Sequence, residues 1–164
     1  MRKAVLFDLD GTLIDSFPAI AASVNHVRAV RGLPPLTVAE VTRHVGHGAP
    51  HLLQAAVGAG SLEENLAEYA RHHPTVIVPL TEALPGADEC LRALHGRGLR
   101  LGICSNKPVA FTRVLMAHLG WDALLGAMLG PEDAGRHKPA PDMLLVAMER
   151  LGVRAEQTLY VGDM

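Results

Sequence analysis

Short apolar runs alternate with helix-like stretches along most of the chain. The apolar runs predict buried strands, and they cover residues 4–9, 99–104, 123–129 and 158–162. The later runs are separated by stretches with helical periodicity, bounded by Pro and Gly, at residues 87–95, 108–119 and 141–151. Strands and helices that alternate with short connections are typical of a parallel sheet covered by helices. The pattern therefore predicts an α/β fold built on a doubly wound parallel (Rossmann-like) sheet.

One long segment interrupts this alternation directly after the first strand. Its apolar spacing and capping residues predict four helices, at 19–31, 38–44, 50–57 and a last one that begins at Ser61. The run 75–78 is a strand candidate, which Pro79 restricts to an edge strand or a linker. Because a connection of this length is uncommon, we expect a separate, small all-helical lobe at 16–81. The core domain is then discontinuous and comprises 1–15 and 82–164.

Composition narrows the class of protein. The chain has 164 residues, 49% of them hydrophobic, and a net charge of −2 with neutral histidines. No basic patch that would suit nucleic acid is visible, and no apolar run is long enough to span a bilayer. The apolar start is too short for a signal peptide, so we expect a cytoplasmic protein. Two cysteines, Cys90 and Cys104, are too few for a disulfide framework and are expected to be reduced.

Polar side chains stand where several predicted strands end, and one lysine stands before a helix in the same scheme. These residues are Asp8, Asp10, Ser105, Asn106, Lys138 and Asp163. In open α/β sheets ligands bind at the carboxyl ends of the strands. Four distant segments are therefore expected to direct polar groups toward one edge of the sheet.

Phosphoryl transfer is the chemistry that suits this set. Asp8 can attack phosphorus and form an aspartyl-phosphate, and Asp10 can protonate the leaving oxygen and later deprotonate water. Asp8 and Asp163 supply oxygen ligands for Mg²⁺. Ser105 can donate a hydrogen bond to phosphate, and Lys138 can offset its charge.

Four motifs occur in order along the chain: Asp8-Leu9-Asp10-Gly11-Thr12, then Ile103-Cys104-Ser105-Asn106, then Lys138-Pro139, then Gly162-Asp163. With them the sequence resembles the haloacid dehalogenase-like superfamily over essentially its whole length. Residues 7–16 and 46–53 are also similar to bacterial phosphoglycolate phosphatases, which hydrolyse 2-phosphoglycolate to glycolate and phosphate with Mg²⁺. The resemblance implies a helical cap after motif one, phosphate contacts from Gly11 and Thr12, and a metal site formed by Asp8, the Asp10 carbonyl and Asp163.

Several residues admit two interpretations. Asn106 is a candidate phosphate ligand and an equally good N-cap for the following helix. Lys107 is either a surface residue of the first helical turn or a functional one. His47, between two glycines, is a candidate substrate contact. The helix breaks around it argue against a zinc site with His44 and His51.

The function also has alternatives. A β-phosphoglucomutase-like phosphoryl transferase, or another sugar-phosphate phosphatase, would use the same scaffold. A dehalogenase is less favoured, because Asp10 is the extra acid that ester chemistry uses. The chain ends at Met164, before the second acidic residue that the superfamily's fourth motif contains. We therefore expect a truncated product or a fragment of a longer phosphatase, with weak activity or none. A catalytically impaired fragment or binding module is the alternative from another class. The sequence leaves the oligomeric state open.

Overall fold

The protein is described by a computed structural model that covers residues 1–163. The chain folds into two compact units. One unit contains Met1–Asp15 and the chain from Glu82 onward, and it has the α/β architecture. The other unit is Ser16–Thr81, and it is helical.

Within residues 1–163, six strands form two sheets. The strands are β1 (Ala4–Phe7), β2 (Ile14–Asp15), β3 (Glu82–Ala83), β4 (Arg100–Cys104), β5 (Leu125–Leu129) and β6 (Thr158–Val161). The larger sheet has the order β5-β4-β1-β6, and all of its pairs are parallel. This arrangement confirms the predicted α/β class. β1 is fully buried and lies between β4 and β6, so the residues directly after it emerge in the middle of the sheet edge.

The helical unit contains α1 (Phe17–Val30), α2 (Val38–Thr42), α3 (Ala49–Ala56) and α4 (Leu62–Val76). Thr37 caps α2 through a capping box with Glu40, and Ser61 caps α4 by accepting the Glu64 N–H. These are the start signals that the sequence carries. The unit has its own core, in which Val24, Val27 and Leu53 are completely buried.

The strand candidate at 75–78 is wrong. Thr75 and Val76 belong to α4, and Ile77 is its C-cap. The segment is helical because its buried residues recur at every fourth position and so share one helix face. These residues are Asn65, Tyr69, His73 and Ile77. This face keeps the segment helical although Pro74 lacks the N–H for one helical hydrogen bond.

The α/β unit adds α5 (Ala87–Gly96), α6 (Val109–Leu119), α7 (Pro131–Ala134) and α8 (Asp142–Leu151). Met143, Ala147 and Leu151 of α8 are buried in one cluster with residues of β1, β4 and β5. The predicted strand at 123–129 begins later, because Asp122–Leu124 forms a short 3₁₀ turn. No helix within residues 1–163 is both long and apolar enough to cross a membrane.

The antiparallel pair β2–β3 has no counterpart among the elements predicted from the sequence. Ile14 pairs with Ala83 and Asp15 with Glu82, at the point where the chain leaves the α/β unit and returns to it. Two-residue strands are too short to show an alternating pattern, so the sequence carries no period-two signal for them.

Candidate active site

Asp8 lies directly after β1 and is almost completely buried, with 4% of its surface exposed. Its backbone N–H donates to Val161 of the neighbouring strand, with an N···O distance of 2.8 Å. Carboxylate oxygen Oδ1 accepts the Leu9 N–H at 2.7 Å. The other oxygen, Oδ2, lies 2.6 Å from Nζ of Lys138. Each carboxylate oxygen of Asp8 therefore has its own partner, and one of these partners, the Lys138 ammonium, carries a positive charge.

A tight turn comes after Asp8. Gly11 has φ +79°, a backbone conformation that other residues rarely adopt, and its N–H donates to Ile14 at 2.9 Å. The hydroxyl of Thr12 donates to Oδ1 of Asp163 at 3.4 Å, so motifs one and four meet within this unit. Asp10, in the same turn, forms an ion pair with Lys107 in which Oδ1 and Nζ are 3.2 Å apart.

The residues after β4 are buried as well. Ser105 is 2% exposed, Asn106 8% and Lys107 7%. The Ser105 hydroxyl oxygen accepts the Lys107 N–H at 3.2 Å, which holds the turn after the strand. Lys107 is therefore not a surface residue of a first helical turn. A sequence signal that points to a functional role is the place of Lys107 two residues after Ser105 in a chain with only three lysines.

Lys138 is held by two side chains. Besides Asp8, the hydroxyl of Tyr160 on β6 lies 2.9 Å from its Nζ. Burial opposes the ammonium form, but the hydrogen bonds and charge of Asp8 and Tyr160 outweigh it and raise the pKa of Lys138 above 10.5. The lysine is therefore charged at neutral pH. Tyr160 was not among the site residues predicted from the sequence, because nothing local pairs it with a residue 22 positions away.

Asn106 contacts Lys138 in a different way. Its side-chain Nδ2 donates to the Lys138 carbonyl at 3.0 Å, and its Oδ1 accepts the Lys138 N–H at 2.8 Å. The N-cap interpretation of Asn106 is wrong, since Pro108 occupies the N-cap position of α6. The carboxylate of Glu132 accepts the Val109 N–H instead, at 3.1 Å.

The donors at this edge suit Mg²⁺. Asp8 and Asp163 provide carboxylate oxygens, and Mg²⁺ is commonly held by one or two carboxylates together with water and phosphate. Within residues 1–163 no three His, Cys, Asp or Glu side chains are clustered closely enough to hold a metal by themselves.

His47 belongs to the helical unit, in the turn before α3. Its ring meets that of His51 edge to face, with centroids 5.0 Å apart. Its contact with a substrate stays a prediction. The α/β unit itself brings together Asp8 with Lys138, Asp10 with Lys107, and Thr12 with Asp163.

The geometry agrees with the comparisons with known proteins. Residues 2–164 match the haloacid dehalogenase-like hydrolase family, so the chain belongs to that family. Relatives named phosphoglycolate phosphatase are similar over nearly the whole chain. The one from Xanthomonas campestris pv. campestris is 35% identical over 98% of this chain and 74% of its own length. The one from Cereibacter sphaeroides is 39% identical over 97% of this chain and 75% of its own.

Solved structures give the same result. A predicted phosphoglycolate phosphatase from Haemophilus somnus 129PT superposes with a TM-score of 0.88 and 29% identity, over 99% of this chain and 77% of that one. A HAD-superfamily hydrolase of subfamily IA, variant 1, from Geobacter sulfurreducens PCA has a TM-score of 0.77 and 27% identity, over 99% of this chain and 79% of that one. The superfamily predicted from the sequence is confirmed, as is its relation to phosphoglycolate phosphatases.

Proposed function

We propose that this chain is a Mg²⁺-dependent phosphomonoesterase that acts through an aspartyl-phosphate and prefers 2-phosphoglycolate. The observation that carries the proposal is the contact of 2.6 Å between Asp8 and Lys138 at the carboxyl end of the central strand. A buried carboxylate beside a fixed ammonium is suited to become the nucleophile when a phosphate enters, because the lysine stabilises the negative charge of the phosphoryl group.

The first step uses Asp8 and Asp10. An Asp8 carboxylate oxygen attacks phosphorus, and the bond between phosphorus and the ester oxygen breaks. Asp10, after its carboxylate has taken up a proton from water, gives that proton to the departing alcohol. The contact with Lys107 restrains the Asp10 side chain near the reacting centre. Ser105 is buried at the end of the neighbouring strand and donates its hydroxyl to the phosphoryl oxygens.

The second step regenerates the enzyme. Asp10, now a carboxylate, takes a proton from water, the water oxygen attacks phosphorus, and the bond between Asp8 and phosphorus breaks. Phosphate leaves and Asp8 is again a carboxylate. Asp8, the Asp10 carbonyl and Asp163 would hold Mg²⁺. When bound, Mg²⁺ neutralises phosphate charge and orients the group for in-line attack.

The choice of substrate rests on the relatives. Those from Xanthomonas campestris pv. campestris and Cereibacter sphaeroides, both named phosphoglycolate phosphatase, are 35% and 39% identical to this chain. A small phosphorylated acid is therefore the first substrate to test. His47 of the helical unit is retained as the residue expected to contact its non-phosphate end.

The test is phosphate release from 2-phosphoglycolate and a panel of sugar phosphates, with Mg²⁺ and after its chelation. We expect turnover that needs Mg²⁺, is fastest on phosphoglycolate, and falls below detection in Asp8→Asn because the amide cannot attack phosphorus. Asp122→Asn, at an exposed aspartate of the 3₁₀ turn, serves as the control and should keep wild-type turnover. Phosphatase activity in Asp8→Asn would disprove the mechanism. An isomerised sugar phosphate, without release of phosphate, would favour the transferase.

A further inference from the structure

Lys138 lies in a segment without regular secondary structure. α7 ends at Ala134 and α8 begins at Asp142, and the intervening residues form turns and bends. A lysine ammonium stands at the end of a flexible stem, so its position depends on how firmly its backbone is held. The contacts that fix the Lys138 backbone therefore matter for the proposed chemistry.

Asn106 provides that restraint. Its side-chain amide pairs with both the N–H and the C=O of Lys138, at 2.8 and 3.0 Å, and it is 8% exposed. The two hydrogen bonds connect residues 32 positions apart. They imitate the pairing of two peptide groups in a sheet, but one of the groups is a side chain. Such a pairing also fixes which way the amide oxygen points.

The restraint closes a ring of contacts. Asp8 follows β1, which pairs with β4 in a register that places Phe7 beside Ile103. Asn106 follows β4 and holds the Lys138 backbone, and the Lys138 ammonium contacts Asp8 at 2.6 Å. Tyr160 also contacts the ammonium, but it acts on the end of the stem and not on the backbone. The Asn106 side chain thus connects the backbone of Lys138 to the end of β4.

We infer that Asn106 is a positioning residue that acts through Lys138, and that it holds the lysine ready for the phosphoryl group rather than binding phosphate itself. The inference rests on the proposed function, since it assigns Lys138 to the phosphoryl group. Once Asp8 is phosphorylated, its carboxylate is no longer the same partner for the ammonium. The hydrogen bonds from Asn106 do not involve Asp8, so they keep the lysine in place through both steps.

The chain contains a matched control. Asn25 of α1 makes the same two-way pairing with the backbone of Leu36, with both distances 2.8 Å. Asn25→Ala therefore removes the same kind and number of these hydrogen bonds as Asn106→Ala, but in the helical unit. Both variants should lower the melting temperature to a similar extent.

The experiment compares these two variants on 2-phosphoglycolate. Asn106→Ala should lower kcat by roughly 10- to 100-fold, because misplacing a catalytic group by about 1 Å has effects of that size. KM should change less, and Asn25→Ala should keep kcat within about twofold of wild type. Asn106→Asp has the same shape but places an oxygen against the Lys138 carbonyl, so it should lose kcat even if Asn106→Ala folds poorly.

A double-mutant cycle with Lys138→Ala separates positioning from direct phosphate binding. If Asn106 acts only through Lys138, adding Asn106→Ala to Lys138→Ala should change the affinity for inorganic phosphate, measured by calorimetry, by less than about twofold. The single Asn106→Ala variant should weaken that affinity. The inference would be overturned if the losses of phosphate affinity in the two single variants multiplied in the double variant. It would also be overturned if Asn106→Ala and Asn25→Ala lost kcat equally. Absence of wild-type turnover on every ester would instead refute the proposed function.

Discussion

Nζ of Lys107 lies 3.2 Å from Oδ1 of Asp10, and the two side chains are only 5% and 14% exposed. The site therefore contains two buried ion pairs, one at Asp8 and one at Asp10, each with its own lysine. Burying a carboxylate is unfavourable unless a cation accompanies it. Because each has its own lysine, the carboxylates of Asp8 and Asp10, two residues apart in sequence, can both be largely buried.

We predict that Lys107→Met destabilises the protein by about 1–3 kcal/mol, below the ~3–5 kcal/mol seen when a fully buried pair is broken, because Asp10 keeps some contact with water. Adding Asp10→Asn should recover much of the loss, since no uncompensated charge then remains. Urea unfolding of the two single variants and the double variant measures the coupling. Lys3→Met, at an exposed lysine, is the control and should change stability by less than about 0.5 kcal/mol. Additive effects in the cycle would show that the contact contributes nothing.

Tyr160 supports the other lysine from the side-chain end. Tyr160→Phe keeps the ring and removes only the hydroxyl that lies 2.9 Å from Lys138 Nζ. Because a hydrogen bond to a charged group contributes about 1.5–3 kcal/mol, we expect a measurable loss of stability and a fall of roughly 2- to 10-fold in kcat.

The chain's other tyrosine supplies the comparison. Tyr69→Phe removes a hydroxyl from the helical unit, where the Tyr69 ring stacks on His73. It should leave kcat unchanged. If Tyr160→Phe has wild-type kcat, the hydroxyl does not help to place the ammonium.

The alternation of predicted strands and helices was enough to predict where several polar side chains would gather. Asp8 and Lys138 were expected at one edge of a parallel sheet because ligands collect where strands end, and the structure places them in contact. The other partners of Lys138 could not be found in the same way. Asn106 and Tyr160 are 32 and 22 positions from it, and no periodicity within a single strand or helix encodes such pairings.

Two wrong expectations have a related cause. The run 75–78 has the β-branched composition of a strand, but burial of every fourth residue of α4 decides its conformation. Asparagine is a residue type that commonly caps helices, but the backbone groups to which Asn106 bonds belong to Lys138, in another segment. In both cases tertiary packing overrides a local preference, and a short window of sequence does not contain the residues responsible.

The helical unit should lose stability in mild acid. The His72 ring stacks on that of His26 at 4.3 Å, and its Nδ1 lies 3.3 Å from the Ser23 hydroxyl. Burial, and then the neighbouring His26, lower the pKa of His72 below its ordinary value of 6.5. The unfolded chain therefore binds this proton at a higher pH than the folded chain does. Stability should fall as the pH drops from 6.5 toward the lowered pKa, and this contribution should not change further below it.

Urea unfolding of wild type and His72→Gln across this range tests the prediction. The variant should lose less stability between neutral pH and about pH 5 than wild type does. His118→Gln, at an exposed histidine on α6, controls for the substitution itself. An equally steep loss in His72→Gln would assign the acid sensitivity to other groups.

The two thiols should react very differently. Cys104 is completely buried, and burial raises the pKa of its thiol to about 12, whereas Cys90 is exposed. Because the thiolate is the reactive form, a rise of about three units lowers its population roughly a thousandfold. Titration with a disulfide reagent should detect one thiol in the folded protein and two in denaturant. Cys90→Ser should have none that reacts in the folded state. Rapid modification of Cys104 would mean that the end of β4 opens readily.

The pairing of Asp15 with Glu82 has a consequence for how this protein can change over evolutionary time. It places the two ends of the inserted helical segment side by side, so the loop is already closed at its base. Lengthening a closed loop adds only slowly to its entropic cost. The insert can therefore gain or lose residues at little entropic cost while β1 and Asp8 keep their register in the sheet.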